Sequence, residues 1–135
     1  MCKTLVRAMV ASALMLVFSL PAWAEGTIAR AQFSTDVIDR EPIDDIGPTV
    51  KVEYGEIQKV YFFTDLRDMS GTRVVHRWTL DGDSQAEVAF DIGGDRWRVW
   101  SSKRLLPGFD GKWAVEIVQD GEIIETRSFD YVDDY

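Results

Sequence analysis

Residues 72–92 read TRVVHRWTLDGDSQAEVAFDI, and the spacing of the apolar residues in this stretch decides the fold class. From Thr72 to Leu80, Val74, His76, Trp78 and Leu80 fall on one side, and Arg73, Val75, Arg77 and Thr79 on the other. A period of two belongs to a strand, not a helix. Asp81-Gly82-Asp83 follows, and Asp-Gly supplies the positive φ of a tight hairpin at little steric cost. Gln85 to Ile92 then alternates again, with Ala86, Val88, Phe90 and Ile92 inward and Glu87, Ala89 and Asp91 outward.

The same grammar extends both ways. Downstream, Gly93-Gly94-Asp95 is a turn and Arg96 to Ser102 a strand. Pro107, Gly108 and Asp110-Gly111 break the chain before Lys112 to Gln119. Asp120-Gly121 is the strongest hairpin signal, and Glu122 to Val132 returns from it. Upstream, Ile57 to Leu66 is a strand with Val60, Phe62, Thr64 and Leu66 on one side. Tyr61 and Phe63 make its second face apolar as well. Ile28 to Ile38 alternates loosely, and Asp39 to Thr49, with its acids, Pro42, Gly47 and Pro48, reads as a solvated loop. About seven short strands with regular turns predict an all-β antiparallel sandwich, immunoglobulin-like or fibronectin-like, with a small closed barrel as the alternative.

The N-terminus has a different logic. Met1 to Arg7 carries Lys3 and Arg7, Ala8 to Leu20 is apolar apart from Ser12 and Ser19, and Pro21-Ala22-Trp23-Ala24 offers small residues for cleavage after Ala24. That is the pattern of a secretory signal peptide. The apolar run falls short of the about 20 residues a membrane-spanning helix needs. The expectation is a leader over 1–24, one domain over 25–135, a periplasmic or secreted location, and no transmembrane anchor after cleavage.

Composition narrows the functions. The chain has 135 residues, 15 basic and 23 acidic, for a net charge of −8. Removing 24 residues with Lys3 and Arg7 leaves 111 residues with 13 basic and 23 acidic, or −10. A nucleic-acid partner is disfavoured by that charge. Cys2 is the sole cysteine and falls within the leader, so no disulfide scaffold or Cys-rich zinc site can form. No cofactor is implied. Asp36, Asp39, Glu41, Asp44 and Asp45 are close in sequence, but their spacing matches no EF-hand. No G-x-S-x-G elbow and no phosphate-binding glycine loop occurs, and His76 is the only histidine. No catalytic residue is assigned. A small hydrolase would have to use His76 with Ser101 or an acid.

The informative island is Arg96-Trp97-Arg98-Val99-Trp100-Ser101-Ser102-Lys103-Arg104, inside an acid-free run from Arg96 to Phe109. Guanidinium beside indole suits a carboxylate, a phosphate, an aromatic or a sugar ring. Candidate ligand contacts are His76, Arg98, Trp100, Ser101, Ser102 and Lys103, as a donor-rich patch able to hold an anion. The competing reading is a buried polar network fixing the sandwich. Trp78, Trp97 and Trp113 are expected in the core and Trp100 at the surface.

His76-x-Trp78, Gly82, Trp97-Arg98-x-Trp100-Ser101-Ser102-Lys103, Gly111-x-Trp113-x-Val115 and Asp120-Gly121 together resemble the DUF2914 family, a bacterial domain of unknown function. The resemblance covers roughly Ile57 to Val132. It implies a small exported or membrane-associated β domain and carries no catalytic mechanism. The expected function is an exported, non-catalytic binding module for an anionic small molecule, an acidic glycan or a peptide. The alternative is a structural partner domain that pairs through a sheet edge with an envelope protein.

Overall fold

Alternation of buried and exposed residues runs along most of the long strands of the computed structural model, which describes residues 26–133. The expected leader over 1–24, with Cys2, lies outside the described residues.

The strands are β1 (Thr27–Ser34), β2 (Val37–Ile38), β3 (Glu41–Pro42), β4 (Thr49–Lys51), β5 (Gln58–Arg67), β6 (Arg73–Leu80), β7 (Asp83–Asp91), β8 (Arg96–Leu105), β9 (Gly111–Gln119) and β10 (Glu122–Val132). Seven of them have eight residues or more, matching the strands that alternation locates. They form two facing sheets, β1-β5-β8 and β4-β10-β9-β6-β7, and β2-β3 is a separate small hairpin. The fold is the expected all-β sandwich. The ladders are antiparallel except for the short parallel pairing of β4 with β10.

The Asp-Gly turns work as their chemistry requires. Asp81 and Gly82 have φ of 49° and 89°, and Asp120 and Gly121 have 46° and 87°. Paired positive φ is the type I′ geometry that matches the twist of the strands it joins. Aspartate also ties the turns down: Asp81 Oδ1 accepts from Lys112 N–H at 2.9 Å, and Asp120 Oδ1 accepts from Arg73 N–H at 2.9 Å.

Inward positions fill one core. Phe33 on β1 packs on Phe62 at 4.9 Å between ring centroids, on Phe129 at 4.8 Å and on Trp78 at 6.1 Å. Trp78 and Trp113 are buried at 0% and 2% exposure. Trp97 departs from the expected core set, for it is 39% exposed. Its register partner Leu66 is fully buried, but β8 is an edge strand with no strand beyond it among the described residues. The indole instead lies over the Gly93–Gly94 turn, where a Cβ on Gly93 would meet it at 3.1 Å.

The segment expected as a solvated loop is also more structured. Asp39 and Arg40 both adopt left-handed φ, 51° and 63°, and close the β2-β3 hairpin. Asp44 accepts from Ser34 Oγ at 2.7 Å, Thr35 N–H at 2.8 Å and Thr35 Oγ1 at 2.5 Å, which holds its carboxyl below the usual carboxylate range. Asp44 is thus held by its neighbours on β1, and among the described residues no three His, Cys, Asp or Glu side chains gather as a metal site.

Candidate functional site

Strand parity splits the β8 motif in two. Val99 and Ser101 point inward and are buried, whereas Arg98, Trp100 and Ser102 belong to the outer face.

The inner set builds a closed network with His76. Trp78 Nε1–H donates to Ser101 Oγ at 3.0 Å, so the single Ser101 proton goes on to His76 Nδ1 at 2.8 Å. Thr64 Oγ1 gives its own proton to the Val99 carbonyl at 3.1 Å, which leaves it to accept from His76 Nε2–H at 3.1 Å. This relay fixes the Nε2–H tautomer, and every donor in it has an acceptor. Phe62 and Phe90 flank the imidazole at 5.1 Å and 4.9 Å. Burial holds its pKa down at about 3, so the ring is neutral. His76 is 0% exposed, and the ligand-contact expectation for it and for Ser101 is corrected: both belong to the core. The hydrolase alternative meets the same obstacle, for neither ring nitrogen is open to a substrate.

The outer face of β1-β5-β8 collects arginines. In register across the sheet stand Arg30, Asp65 and Arg98, with Arg67 beside Arg96 one rung away. Asp65 is 1% exposed and takes Arg67 Nε and Nη2 at 3.1 Å each, Arg30 Nη2 at 3.4 Å and Arg96 Nη2 at 4.0 Å. Glu41 reaches in from the β2-β3 hairpin. It accepts both Nη atoms of Arg30, at 2.7 and 3.0 Å, and Arg98 Nη1 at 2.6 Å. The Arg30 hydrogen bonds, with Arg98 adding to them, hold the Glu41 carboxyl down at about 2. Beneath it, the Arg30 guanidinium lies 5.0 Å from the Phe63 ring centre. That stacking explains how an apolar residue on the outer face stays fully buried.

Beside this clamp, Arg40, Arg96, Trp97, Arg98 and Trp100 line a surface cavity of about 340 Å³. It holds three guanidinium groups, two indoles and no carboxylate among its walls. Arg98 is committed to Glu41, and Arg96 lies at the outer limit of ion-pair distance from Asp65. Arg40 has no ion-pair partner among the described residues. Of the sequence candidates, Arg98 and Trp100 are brought to the cavity. Ser102 and Lys103 are not: Lys103 extends from the inner side of β8, its Nζ 6.0 Å from the Trp113 ring centre. Arg96, Trp97 and Arg40 are walls that sequence reasoning did not select. Arg96 and Trp97 sit within the basic-aromatic island itself. Arg40 has no local signal, since it arrives only by folding of the hairpin across the sheet.

Residues 71–131 match the family model described as "Protein of unknown function (DUF2914)", in line with the resemblance carried by the His-x-Trp and Trp-Arg-x-Trp-Ser-Ser-Lys motifs. The match begins at the turn before β6, later than the Ile57 expected. Among solved structures, an immunoglobulin-like protein from Pseudomonas aeruginosa is similar with a TM-score of 0.51 and 14% identity, over 82% of this chain and 99% of that one. The CARDB domain of a Pyrococcus furiosus protein, solved in complex with di-metal ions, is similar with a TM-score of 0.50 and 10% identity, over 82% and 96%. At these identities the likeness is one of fold. No curated protein matches the chain in sequence.

Proposed function

We propose that this chain, with its DUF2914 pattern over 71–131, is an exported, non-catalytic binding module whose arginine–tryptophan cavity takes an anionic ligand. The single observation that carries this reading is the cavity wall itself: Arg40, Arg96 and Arg98 with Trp97 and Trp100, in a protein of net charge −8. A planar fork binds carboxylate or phosphate through paired N–H groups. Indoles at the same opening suit the apolar face of a sugar ring or an aromatic group. Export rests on the basic start, the apolar Ala8–Leu20 run and the small residues before Glu25.

Calorimetric titration with inorganic phosphate, glucuronate and an acidic peptide tests the reading. At least one probe should bind. The Arg40→Ala/Arg96→Ala double variant should lose about tenfold or more in affinity, since a hydrogen bond to a charged group contributes about 1.5–3 kcal/mol. It should still fold, because both side chains stand at the cavity and not in the core. Lys103→Ala should bind as the parent does. Absence of binding by all three probes, or undiminished binding by the double variant, refutes the proposal.

A further inference from the structure

Both sheets end in an open strand on the same flank of the sandwich. β8 closes the three-stranded sheet and β7 the five-stranded one. They share a flank because His76 on β6 bonds Ser101 of β8 and packs on Phe90 of β7. At the opposite flank Phe33 of β1 meets Phe129 of β10. Among the described residues no backbone hydrogen bond reaches the outer edge of either strand. The shorter sheet also stops short over β7: the inward-facing Ala86, Val88 and Phe90 are left half-buried.

The two edges differ in charge. β8 carries Arg96, Arg98, Lys103 and Arg104 and no acid. β7 carries Asp83, Glu87 and Asp91 and no base. A strand added to β8 would sit over Val88 and Phe90, so it needs apolar residues on its inner side and acids on its outer side. The stretch Ala86–Asp91 has that pattern, with Ala86, Val88 and Phe90 against Glu87 and Asp91. The register shift between β6 and β7 near Ser84 ends the regular part of β7 at Ala86.

We infer that the chain forms a closed two-fold dimer in which β7 of each copy adds to β8 of the other. β7 and β8 run in opposite directions around the corner Ile92–Asp95. A two-fold axis parallel to the strands preserves the direction of β7, so each new pair is antiparallel. The same rotation makes the outer face of one sheet continuous with the outer face of the other. Asp91 of the second copy then stands beside Arg96, Glu87, which already holds Arg77 at 2.8 Å, falls beside Trp100, and the two sets of Val88 and Phe90 meet across the axis. Pairing β8 with β8 would instead put like charges side by side. Each copy uses both edges of this flank, so the contact closes on itself and does not propagate through β7 and β8 into a filament. The dimer would bring acids of the second copy to the Arg96 side of the anion cavity, so the two readings compete there. Association is therefore measured without added anion, and anion affinity through Arg40, which lies on neither paired edge, so that the failure of one is distinguishable from the failure of the other.

Sedimentation equilibrium of the full chain tests it. The wild type should be a dimer that loosens as salt is added. Arg96→Glu and Asp91→Lys should each weaken association by about tenfold or more, since each places two like-charge contacts in its own dimer. An equal mixture of the two variants should reassociate, because both interfaces then pair opposite charges. A monomeric wild type, a dimer indifferent to both variants, or a mixture that stays dissociated overturns the inference. Should either variant fail to fold, amide exchange on the wild type decides. Rising concentration should protect the outer-edge amides of β7 and β8, and no gain there refutes the dimer.

Discussion

Acidification from about pH 7.5 to about pH 5 should remove about 2 kcal/mol of stability through one residue, His76. In the unfolded chain its imidazole titrates at 6.5, and in the folded protein burial lowers this to about 3. The folded state therefore keeps the ring neutral while the unfolded state binds a proton. A depressed folded pKa gives stability that is fully present above 6.5 and drains away as pH falls toward 3. At pH 5 the unfolded ring is about 1.5 units below its pKa, and each unit corresponds to about 1.36 kcal/mol. Carrying the fall to pH 3 bounds the effect at about 5 kcal/mol. The network leaves no easy escape, since protonating Nδ1 would turn the acceptor of the Ser101 proton into a second donor. Glu41 does not confuse the window: its carboxyl is lowered from 4.5 to about 2, so its contribution is lost only below pH 4.5. The assay is urea unfolding of the wild type and His76→Gln across this range. The variant should be less stable at neutral pH, and its deficit should shrink by about 2 kcal/mol at pH 5. If the two proteins lose equal stability between these pH values, the buried neutral imidazole is wrong.

Ser101→Ala should cost about 2–4 kcal/mol, because it leaves both the Trp78 indole N–H and His76 Nδ1 buried without a partner; equilibrium denaturation reads this, and a cost under about 1 kcal/mol would dissolve the network. Asp65→Asn should destabilise by about 3 kcal/mol, since Arg30, Arg67 and Arg96 converge on a carboxylate that is 1% exposed. Gly26→Ala should be strongly destabilising: φ is +89°, and the new Cβ would fall 2.2 Å from the Arg67 carbonyl oxygen. A melting temperature unchanged by that substitution would contradict the packing of Gly26 on the β5–β6 turn. Carboxyl NMR should find Glu41 titrating near 2, and Arg30→Ala should raise that value toward 4.5, the Arg30 hydrogen bonds being the largest cause of the shift.

Strand content was legible because period-two patterning and Asp-Gly turns are local signals. Val74, His76 and Trp78 were assigned to one face from spacing alone, and they share it. Sheet partners were not legible. Trp97 has the inward parity of Val99 and Ser101, yet it stands exposed because β8 has no neighbour on one side. Edge position is set by strand order, and no residue near Trp97 encodes it. The segment Asp39–Thr49 shows the same limit in reverse. Its composition is that of a loop, and the ion pairs that order it join Glu41 to Arg30 and Arg98, 11 and 57 residues away.

The basic-aromatic island divides by parity between a buried polar network and the wall of a surface cavity. Ser101 joins His76 and Trp78 in the network, while Arg96, Arg98 and Trp100 face the cavity with Trp97 at its rim. The family-matched segment 71–131 contains His76, Trp78, Val99 and Ser101, lacking only Thr64 of the relay. Arg40, which completes the cavity, and Arg30 and Glu41, which hold its neighbour Arg98, come from outside that segment. The His-x-Trp and Ser-Ser-Lys motifs therefore specify a core that any strand offering a hydroxyl opposite His76 can complete. In the proposed function, anion recognition would depend on which side chain the β2-β3 hairpin sets over β8. Replacing Arg40 should accordingly change ligand affinity and leave the acid sensitivity of His76 untouched, whereas Thr64→Val should do the reverse. A Thr64→Val protein that kept its pH response but lost anion binding would show that the two sets of residues are not separable.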